Sequence, residues 1–320
     1  MTTPPDADAI AERVAAWYPS LADRRQYRCH TDATDFYRVE YGDVLVLDSH
    51  AYLILNNTKE GRFGLEDQEK FWVKRAIDLA DGRRKIIKLV FHERFRACIG
   101  DIAFDCFRSP RKEARILKKV ADHPHFMHGA AVEDSQGNII RVLDFIYGPS
   151  LHDAIASINQ AHERYFYDSF PRIFKCFVAC VEAIAFLHHE GEKHGDIRRD
   201  HIIIDRESGL YRWIDFDFNY RHRENIFGYD LFGLGNVLMF LAGKGDVLLP
   251  DLIRMSHPFS GTLRPQDFNI VFHHRLANLK KIYPYIPESL NRIMLHFSMG
   301  ANWFYEHVDQ FLEDLAQISL

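Results

Sequence analysis

The feature that most constrains this chain is a polar segment followed by two short apolar strands. Residues 194–201 read HGDIRRDH and run directly into 202–204 (III), a β-branched run that predicts a buried strand. A second short apolar strand follows and ends in acids at 213–217 (WIDFD). The pattern predicts a hairpin with one acid, Asp196, before its first strand and another, Asp215, at the end of its second.

Two acids at strand ends, 19 residues apart, suit phosphoryl transfer. One carboxylate can orient the attacking hydroxyl and accept its proton, while the other can hold Mg²⁺ on the phosphates. We assign the first role to Asp196 and the second to Asp215. Ordinary acids in a hairpin turn would have the same spacing, so the rest of the chain must separate the two interpretations.

These motifs resemble the catalytic loop and metal-binding segment of the protein kinase superfamily, in which H-x-D is followed by an apolar strand and then D-F-x. Further motifs follow in the family's order from about residue 50 onward. The resemblance implies an α+β, bilobal protein kinase-like fold, with a small lobe of antiparallel strands plus one helix and a larger helical lobe. We expect an N-terminal helical extension at 1–45, the small lobe at 46–145 and the large lobe at 146–320.

The expected small lobe contains motifs that would bind a nucleotide. The sequence KEGRFG resembles a Gly-rich loop, with Gly61 and Gly64 at two of the family's three glycine positions, although an ordinary hairpin turn has a similar composition. Lys88, at the end of a strand, matches the lysine that contacts the phosphates, and Glu113 on a following helix matches its ion-pair partner. Lys85 is a rival in the same strand, but it would point to the opposite face of the sheet.

An apolar strand at 139–145 enters a segment that resembles the hinge of the family. The resemblance implies that backbone groups of Asp144 and Ile146 hydrogen-bond the adenine edge and that Leu143 lines the back of the pocket. A buried strand followed by a Gly-Pro turn is the structural alternative. Further on, Asp230 begins an apolar helix and is expected to bond the backbone of the catalytic loop.

Two positions depart from the family's metal-binding pattern. His201 stands where the family has an asparagine ligand, and a neutral imidazole suits softer ions better than Mg²⁺. Asp217 replaces the glycine of D-F-G and adds a negative charge beside the metal site. The resemblance therefore implies a metal-binding set of Asp215, His201 and Asp217, with Asp200 and Asn219 as other oxygen donors.

A third departure concerns the acceptor. Asp230 follows Asp215 by only 15 residues, about half the span that protein kinases use for an activation loop and peptide platform. No A-P-E triplet is present, and residues 300–304 lack the arginine that would pair with its glutamate. We expect a reduced peptide-docking ledge and no phosphorylation switch in this segment. The departures are similar to lipopolysaccharide core sugar kinases, and aminoglycoside phosphotransferases share the H-G-D opening.

The implied activity is transfer of the γ-phosphate of ATP to a hydroxyl, with Mg²⁺ as the metal and protein Ser/Thr as the favoured acceptor. Beside Asp196, Asp215, Lys88 and Glu113, the site would use Arg198, which stands at the family's lysine position, to stabilise charge on the transferred phosphoryl. A small-molecule or sugar kinase is a second interpretation. A pseudokinase that binds nucleotide and acts as a scaffold is a third.

Composition excludes several other classes. The chain has 320 residues and 47% hydrophobic content, enough for two domains with a large core. Its net charge of −5 predicts no nucleic-acid partner. It has no apolar run long enough for a membrane span, and its acidic N-terminus lacks an apolar signal region, so a cytoplasmic protein is expected. Residues 91–110 remain an unassigned insertion, and no oligomeric state is predicted.

Overall fold

The structure is a computed structural model that describes residues 6–22, 26–60, 68–99, 102–221 and 226–320. Its strands are β1 (Cys29–His30), β2 (Val44–Leu47), β3 (His50–Glu60), β4 (Gln68–Asp78), β5 (Arg84–Lys88), β6 (Arg94–Ile99), β7 (Ile102–Arg108), β8 (Gly129–Glu133), β9 (Ile139–Asp144), β10 (Ile202–Ile204), β11 (Tyr211–Trp213) and β12 (Phe218–Arg221). Its α-helices are α1 (Ala7–Trp17), α2 (Pro110–Lys119), α3 (Leu151–Ala156), α4 (His162–Asp168), α5 (Phe170–His189), α6 (Gly228–Ala242), α7 (Leu249–Arg254), α8 (Glu288–Leu295) and α9 (Val308–Ala316).

The chain divides into two compact units, each built from several segments. The first unit comprises Met1–Glu93, Arg108–Asp122 and Met127–Ile146, and the second comprises Arg94–Phe107, His123–Phe126 and Tyr147–Leu320. The sequence-based division differs from these units in several places, including residues 123–126, which were expected in the small lobe and fall within the second unit. The N-terminal extension falls within the first unit, and residues 94–107 fall within the second although they precede α2 in the chain.

The first unit is built on a seven-stranded sheet in the order β1-β2-β3-β4-β5-β9-β8. Strands β1 and β2 are parallel and the other neighbours are antiparallel. Successive side chains of a strand point to opposite faces, so adjacent residues enter different cores. Leu45 of β2 packs in one apolar cluster with Ile87 and Val142, whereas Val44 packs in another with Ile10 and Val14 of α1.

Helix α2 begins with a well-formed cap. The Ser109 side chain accepts a hydrogen bond from the Lys112 amide at 3.2 Å, and Pro110 occupies the first turn, where its missing N–H costs nothing. The helix buries Ile116 and Leu117, and Glu113 on its first turn is buried with them. The capped first turn of α2 therefore fixes the position of Glu113 within the first unit.

Lys74 of β4 is a buried lysine in the first unit, only 2% exposed. Its Nζ donates to Asn57 Oδ1 at 2.9 Å. Burial lowers the pKa of Lys74 from 10.5 to about 8, although the carboxylates of Glu40 and Asp43 oppose the shift. Below pH 8 the folded protein therefore holds an ionised lysine in an environment that disfavours its charge.

We expect Lys74→Met to raise the free energy of unfolding by about 1–3 kcal/mol at pH 7. The folded pKa is lowered, so wild-type stability should increase between about pH 8 and pH 10.5, where the unfolded chain binds the extra proton. The advantage of the variant should shrink over the same interval. Urea denaturation at pH 7 and pH 10 measures both effects, with the exposed Lys118→Met as control. An equal gain at both pH values would contradict this account.

The second unit is mainly helical, and its core contains α5 and α6, which contribute many of its buried residues. Two glycines allow close approaches that a side chain would prevent. A Cβ at Gly148 would lie 1.8 Å from the carbonyl oxygen of Ile204, and a Cβ at Gly233 would lie 2.6 Å from Ile197 Cβ. The Gly-Pro turn therefore packs against β10, and α6 packs against the loop that precedes β10.

The unassigned insertion forms a hairpin of β6 and β7. This hairpin extends to a three-stranded sheet in the order β12-β7-β6, so β7 pairs with the strand that follows Asp217. None of the helices within the described ranges combines the length and hydrophobicity needed to cross a membrane.

Candidate active site

Lys88, Glu113 and Arg141 form a buried ion cluster in the first unit. Lys88 Nζ lies 2.7 Å from Glu113 Oε1, and Arg141 Nε lies 3.0 Å from Glu113 Oε2. Arg141 also donates to the carbonyls of Ile139 at 2.7 Å and Leu89 at 3.3 Å. The structure thus brings together Lys88 and Glu113, which the sequence predicts as an ion pair, and adds Arg141 to them. Two buried cations therefore face the single carboxylate of Glu113.

The residues predicted to hold adenine lie at the end of β9. Leu143 is buried, Asp144 is exposed and Ile146 is partly exposed. The Asp144 amide donates to the carbonyl of His128 at 2.9 Å, so Asp144 would accept a hydrogen bond from a base through its own carbonyl oxygen. Lys85 Nζ lies 2.7 Å from the Asp144 carboxylate and is therefore not part of the ion cluster around Lys88. Gly61 and Gly64 lie outside the described residues.

Asp230 fixes the start of the catalytic loop in the second unit. Its carboxylate accepts hydrogen bonds from the amides of His194 at 2.7 Å and Gly195 at 2.8 Å, as expected from the sequence. It also accepts one from His188 Nε2 at 3.0 Å. Asp230 is fully buried, and three donors compensate its charge. The loop that carries Asp196 is therefore anchored to the N-terminal turn of α6.

His201 lies between Asp196, the candidate proton acceptor, and Asp215, the candidate metal ligand. Its Nδ1 donates to the backbone carbonyl of Asp196 at 2.8 Å and lies 3.6 Å from that residue's Oδ2. Its Nε2 lies 3.8 Å from Asp215 Oδ2. A carbonyl oxygen only accepts, so Nδ1 carries a proton and Nε2 is the nitrogen that faces Asp215. The structure thus gathers Asp196, His201 and Asp215 into one cluster.

Asp215 has an unusual backbone conformation. Its φ of +63° lies in the left-handed region, which non-glycine residues rarely adopt and which costs about 1–3 kcal/mol. Strain of this kind collects at functional sites, where it orients a side chain. Asp217, two residues later, is buried with only 1% of its surface exposed.

The described residues contain no group of three or more His, Cys, Asp or Glu side chains arranged to hold a metal ion. Mg²⁺ at phosphoryl-transfer sites is commonly held by one or two carboxylates together with water and phosphate oxygens. Asp215 fits such a partial site because its carboxylate is 12% exposed. Asp217 and His201 remain predicted ligands.

Arg198 is bound to a neighbouring acid. Its Nε donates to Asp200 Oδ1 at 3.0 Å, and its Nη2 makes a short second bond to Oδ2. Burial alone would raise the pKa of Asp200, but the charges of His201 and Arg198 overcome it and the pKa is lowered. The predicted role of Arg198 on a transferred phosphoryl therefore requires that Asp200 share or release this guanidinium.

Comparison with curated proteins finds distant similarity to protein kinases. No protein-family model matches the chain. Among curated proteins, it is 23% identical over 185 residues to sperm motility kinase Z of Mus musculus, covering 58% of this chain and 33% of that protein. It is 26% identical over 168 residues to CBL-interacting protein kinase 1 of Oryza sativa subsp. japonica, covering 50% and 30%. The chain spans about a third of the length of these relatives.

Solved structures show the same fold. The Cydia pomonella granulovirus kinase PK-1 aligns with a TM-score of 0.52 at 14% identity, covering 82% of this chain and 93% of that one. The PknI kinase domain of Mycobacterium tuberculosis aligns with a TM-score of 0.51 at 12% identity, covering 87% and 99%. The predicted α+β, bilobal kinase-like fold is thereby confirmed. The curated relatives are named as protein kinases, which supports the resemblance to the protein kinase superfamily that the motifs indicate.

Proposed function

We propose that this protein is an ATP-dependent phosphotransferase that moves the γ-phosphate to a hydroxyl acceptor. The observation that carries the proposal is the cluster of Asp196, His201 and Asp215, in which Asp196 lies on a loop anchored by Asp230. An ordinary acid in a hairpin turn needs neither a buried anchor nor a strained backbone. Here Asp230 anchors the loop that carries Asp196, and Asp215 has a strained backbone conformation.

The first unit would hold the nucleotide. The Lys88 ammonium group, held by Glu113 at 2.7 Å, would contact an anionic phosphate group, as the family resemblance implies. Leu143 would contact the base, and the Asp144 carbonyl and Ile146 backbone would hydrogen-bond its edge, as the hinge resemblance implies.

The remaining roles concern the metal and the reacting groups. Asp215 would bind Mg²⁺, with Asp217 and His201 as further candidate ligands; the bound ion would neutralise charge on the phosphates. Asp196 would orient the acceptor hydroxyl and take its proton. Its carboxylate is 15% exposed, so a substrate hydroxyl can reach it. Arg198 would stabilise the transferred phosphoryl.

The acceptor we favour is a protein serine or threonine, because the curated relatives are named as protein kinases. A sugar or other small hydroxyl compound is a second candidate, and the short span between Asp215 and Asp230 favours it. A Ser/Thr peptide library and a sugar panel, each tested with labelled ATP, separate the two acceptors.

The Asp215→Asn variant tests the function against a scaffold that lacks catalysis. We expect Mg²⁺ to increase the ATP affinity of the wild type about tenfold or more and to have little effect on Asp215→Asn. Isothermal titration calorimetry with and without Mg²⁺ measures both. The exposed Asp168→Asn is the matched control. Wild-type ATP affinity unchanged by Mg²⁺ would support the pseudokinase interpretation instead.

A further inference from the structure

We propose that the β6–β7 hairpin is a brace that positions the catalytic loop, acting through Tyr220 of β12 and through Lys193. The brace takes the place of a long, separately ordered activation segment. This inference rests on the proposed phosphotransferase function, because it assigns positioning residues for that reaction. All of the residues involved belong to the second unit.

The hairpin holds β12 through both its main chain and its side chains. Strand β7 is the central strand of the β12-β7-β6 sheet, so β12 is paired along its backbone immediately after Asp217. The Phe104 ring packs edge-on against Tyr220 at a centroid distance of 5.8 Å, and Cys106 is buried in the same cluster. On β6, the exposed Phe95 contacts Phe218 at 5.4 Å.

Tyr220 in turn contacts the residue that begins the catalytic loop. Lys193 Nζ donates to the main-chain carbonyl of Tyr220 at 2.7 Å and lies 4.0 Å from the centroid of its ring. The ammonium group therefore makes a charge-assisted hydrogen bond and a cation–π contact with one residue. Lys193 immediately precedes His194, whose amide is held by Asp230. A displacement of β12 would be transmitted directly to the loop that carries Asp196.

A second route joins the hairpin to the same loop through α6. Phe104 also contacts Tyr229 at 5.4 Å, and Tyr229 contacts Tyr220 at 5.1 Å. Tyr229 precedes Asp230, the anchor of the loop amides. Burial raises the pKa of Tyr229, and the Asp196 carboxylate adds to the shift, which places this aromatic cluster within electrostatic range of the catalytic acid. The cluster thus supports the loop from two sides.

The brace explains how β12 can be held in place without a modification. Only 15 residues separate Asp215 from Asp230, so the chain has little length for a loop that is disordered until phosphorylated. Main-chain pairing with β7 instead holds Phe218–Arg221 from within the same chain. Transfer should therefore proceed without prior phosphorylation of the protein.

Lys193→Met tests the brace at its contact with the loop. We expect kcat to fall about tenfold or more, the effect of losing one charge-assisted hydrogen bond, with KM for ATP within about twofold of wild type. Lys193→Arg should recover most of kcat because it restores both contacts. Lys118→Met is the matched control, since it removes an exposed lysine on α2, outside the second unit.

Hydrogen exchange tests the brace independently of activity. In both Lys193→Met and the hairpin variant Phe95→Ala, the amides at 193–196 and 218–221 should exchange several-fold faster, with protection of α5 unchanged. Phe95 is exposed, so its replacement should leave the protein folded. Unchanged exchange and unchanged kcat in these variants would overturn the brace. If the wild type transfers no phosphate but exchange responds as expected, the proposed function fails and the brace stands as a structural element.

Discussion

The Asp196→Asn variant is expected to lose about 10²–10⁴-fold in kcat while it still binds ATP with wild-type affinity. An amide of the same shape keeps the loop geometry but does not accept a proton from the acceptor hydroxyl. The backbone carbonyl of Asp196 that bonds His201 is unchanged by the substitution, and so are the Asp230 anchors of the loop. Steady-state kinetics measures the loss in kcat, and calorimetry measures the affinity for ATP.

Asp168→Asn provides a control for the loss of one negative charge. Asp168 pairs with Arg164 on the surface, so its replacement should leave kcat within about twofold of wild type. Transfer by Asp196→Asn at the wild-type rate would remove Asp196 from the mechanism. A parallel loss of ATP affinity would show that the substitution disturbs the loop rather than the proton acceptor.

Glu113→Ala is expected to lower the free energy of unfolding by about 3–5 kcal/mol and to abolish transfer. The substitution removes the carboxylate that Lys88 and Arg141 share, and breaking a buried ion pair by removing one partner is strongly destabilising. Lys88→Met is the matched comparison. It leaves the Glu113–Arg141 pair intact, so it should cost much less stability while still removing the phosphate contact.

Urea denaturation of both variants measures the difference in stability, and transfer assays measure the shared loss of activity. The stability of Glu113→Ala should be lower than that of Lys88→Met by about 2 kcal/mol or more. Equal stability losses in the two variants would contradict the double-cation cluster. Wild-type transfer by Lys88→Met would contradict the assignment of the phosphate lysine.

The order of motifs along the chain was enough to predict the pairs that depend on family spacing. Lys88 was placed opposite Glu113 and Asp230 on the loop backbone, and the structure contains both contacts. Both pairings follow from the family resemblance, which supplies the partner of each motif. Strand period adds that Lys85 points to the face opposite Lys88, and Lys85 bonds Asp144 instead.

Contacts made by residues outside those motifs were missed. Arg141 was overlooked, although an arginine within the apolar strand IIRVLD is itself a signal that a buried acid is near. The hairpin could not be placed because strand pairing between β7 and β12 joins segments far apart in sequence, and alternation alone does not name a partner strand. The sequence also does not predict that His201 Nδ1 carries a proton, because this depends on the position of the Asp196 carbonyl oxygen.

The most direct test of this account is transfer of labelled γ-phosphate from ATP by the purified protein with Mg²⁺, using a cell extract as the source of acceptors. The account predicts label on an acceptor hydroxyl that requires Mg²⁺ and disappears with Asp196→Asn. Label on a protein band would establish a protein acceptor, and label only in small molecules would establish the second candidate. A folded protein that binds ATP yet transfers no label would contradict the central claim.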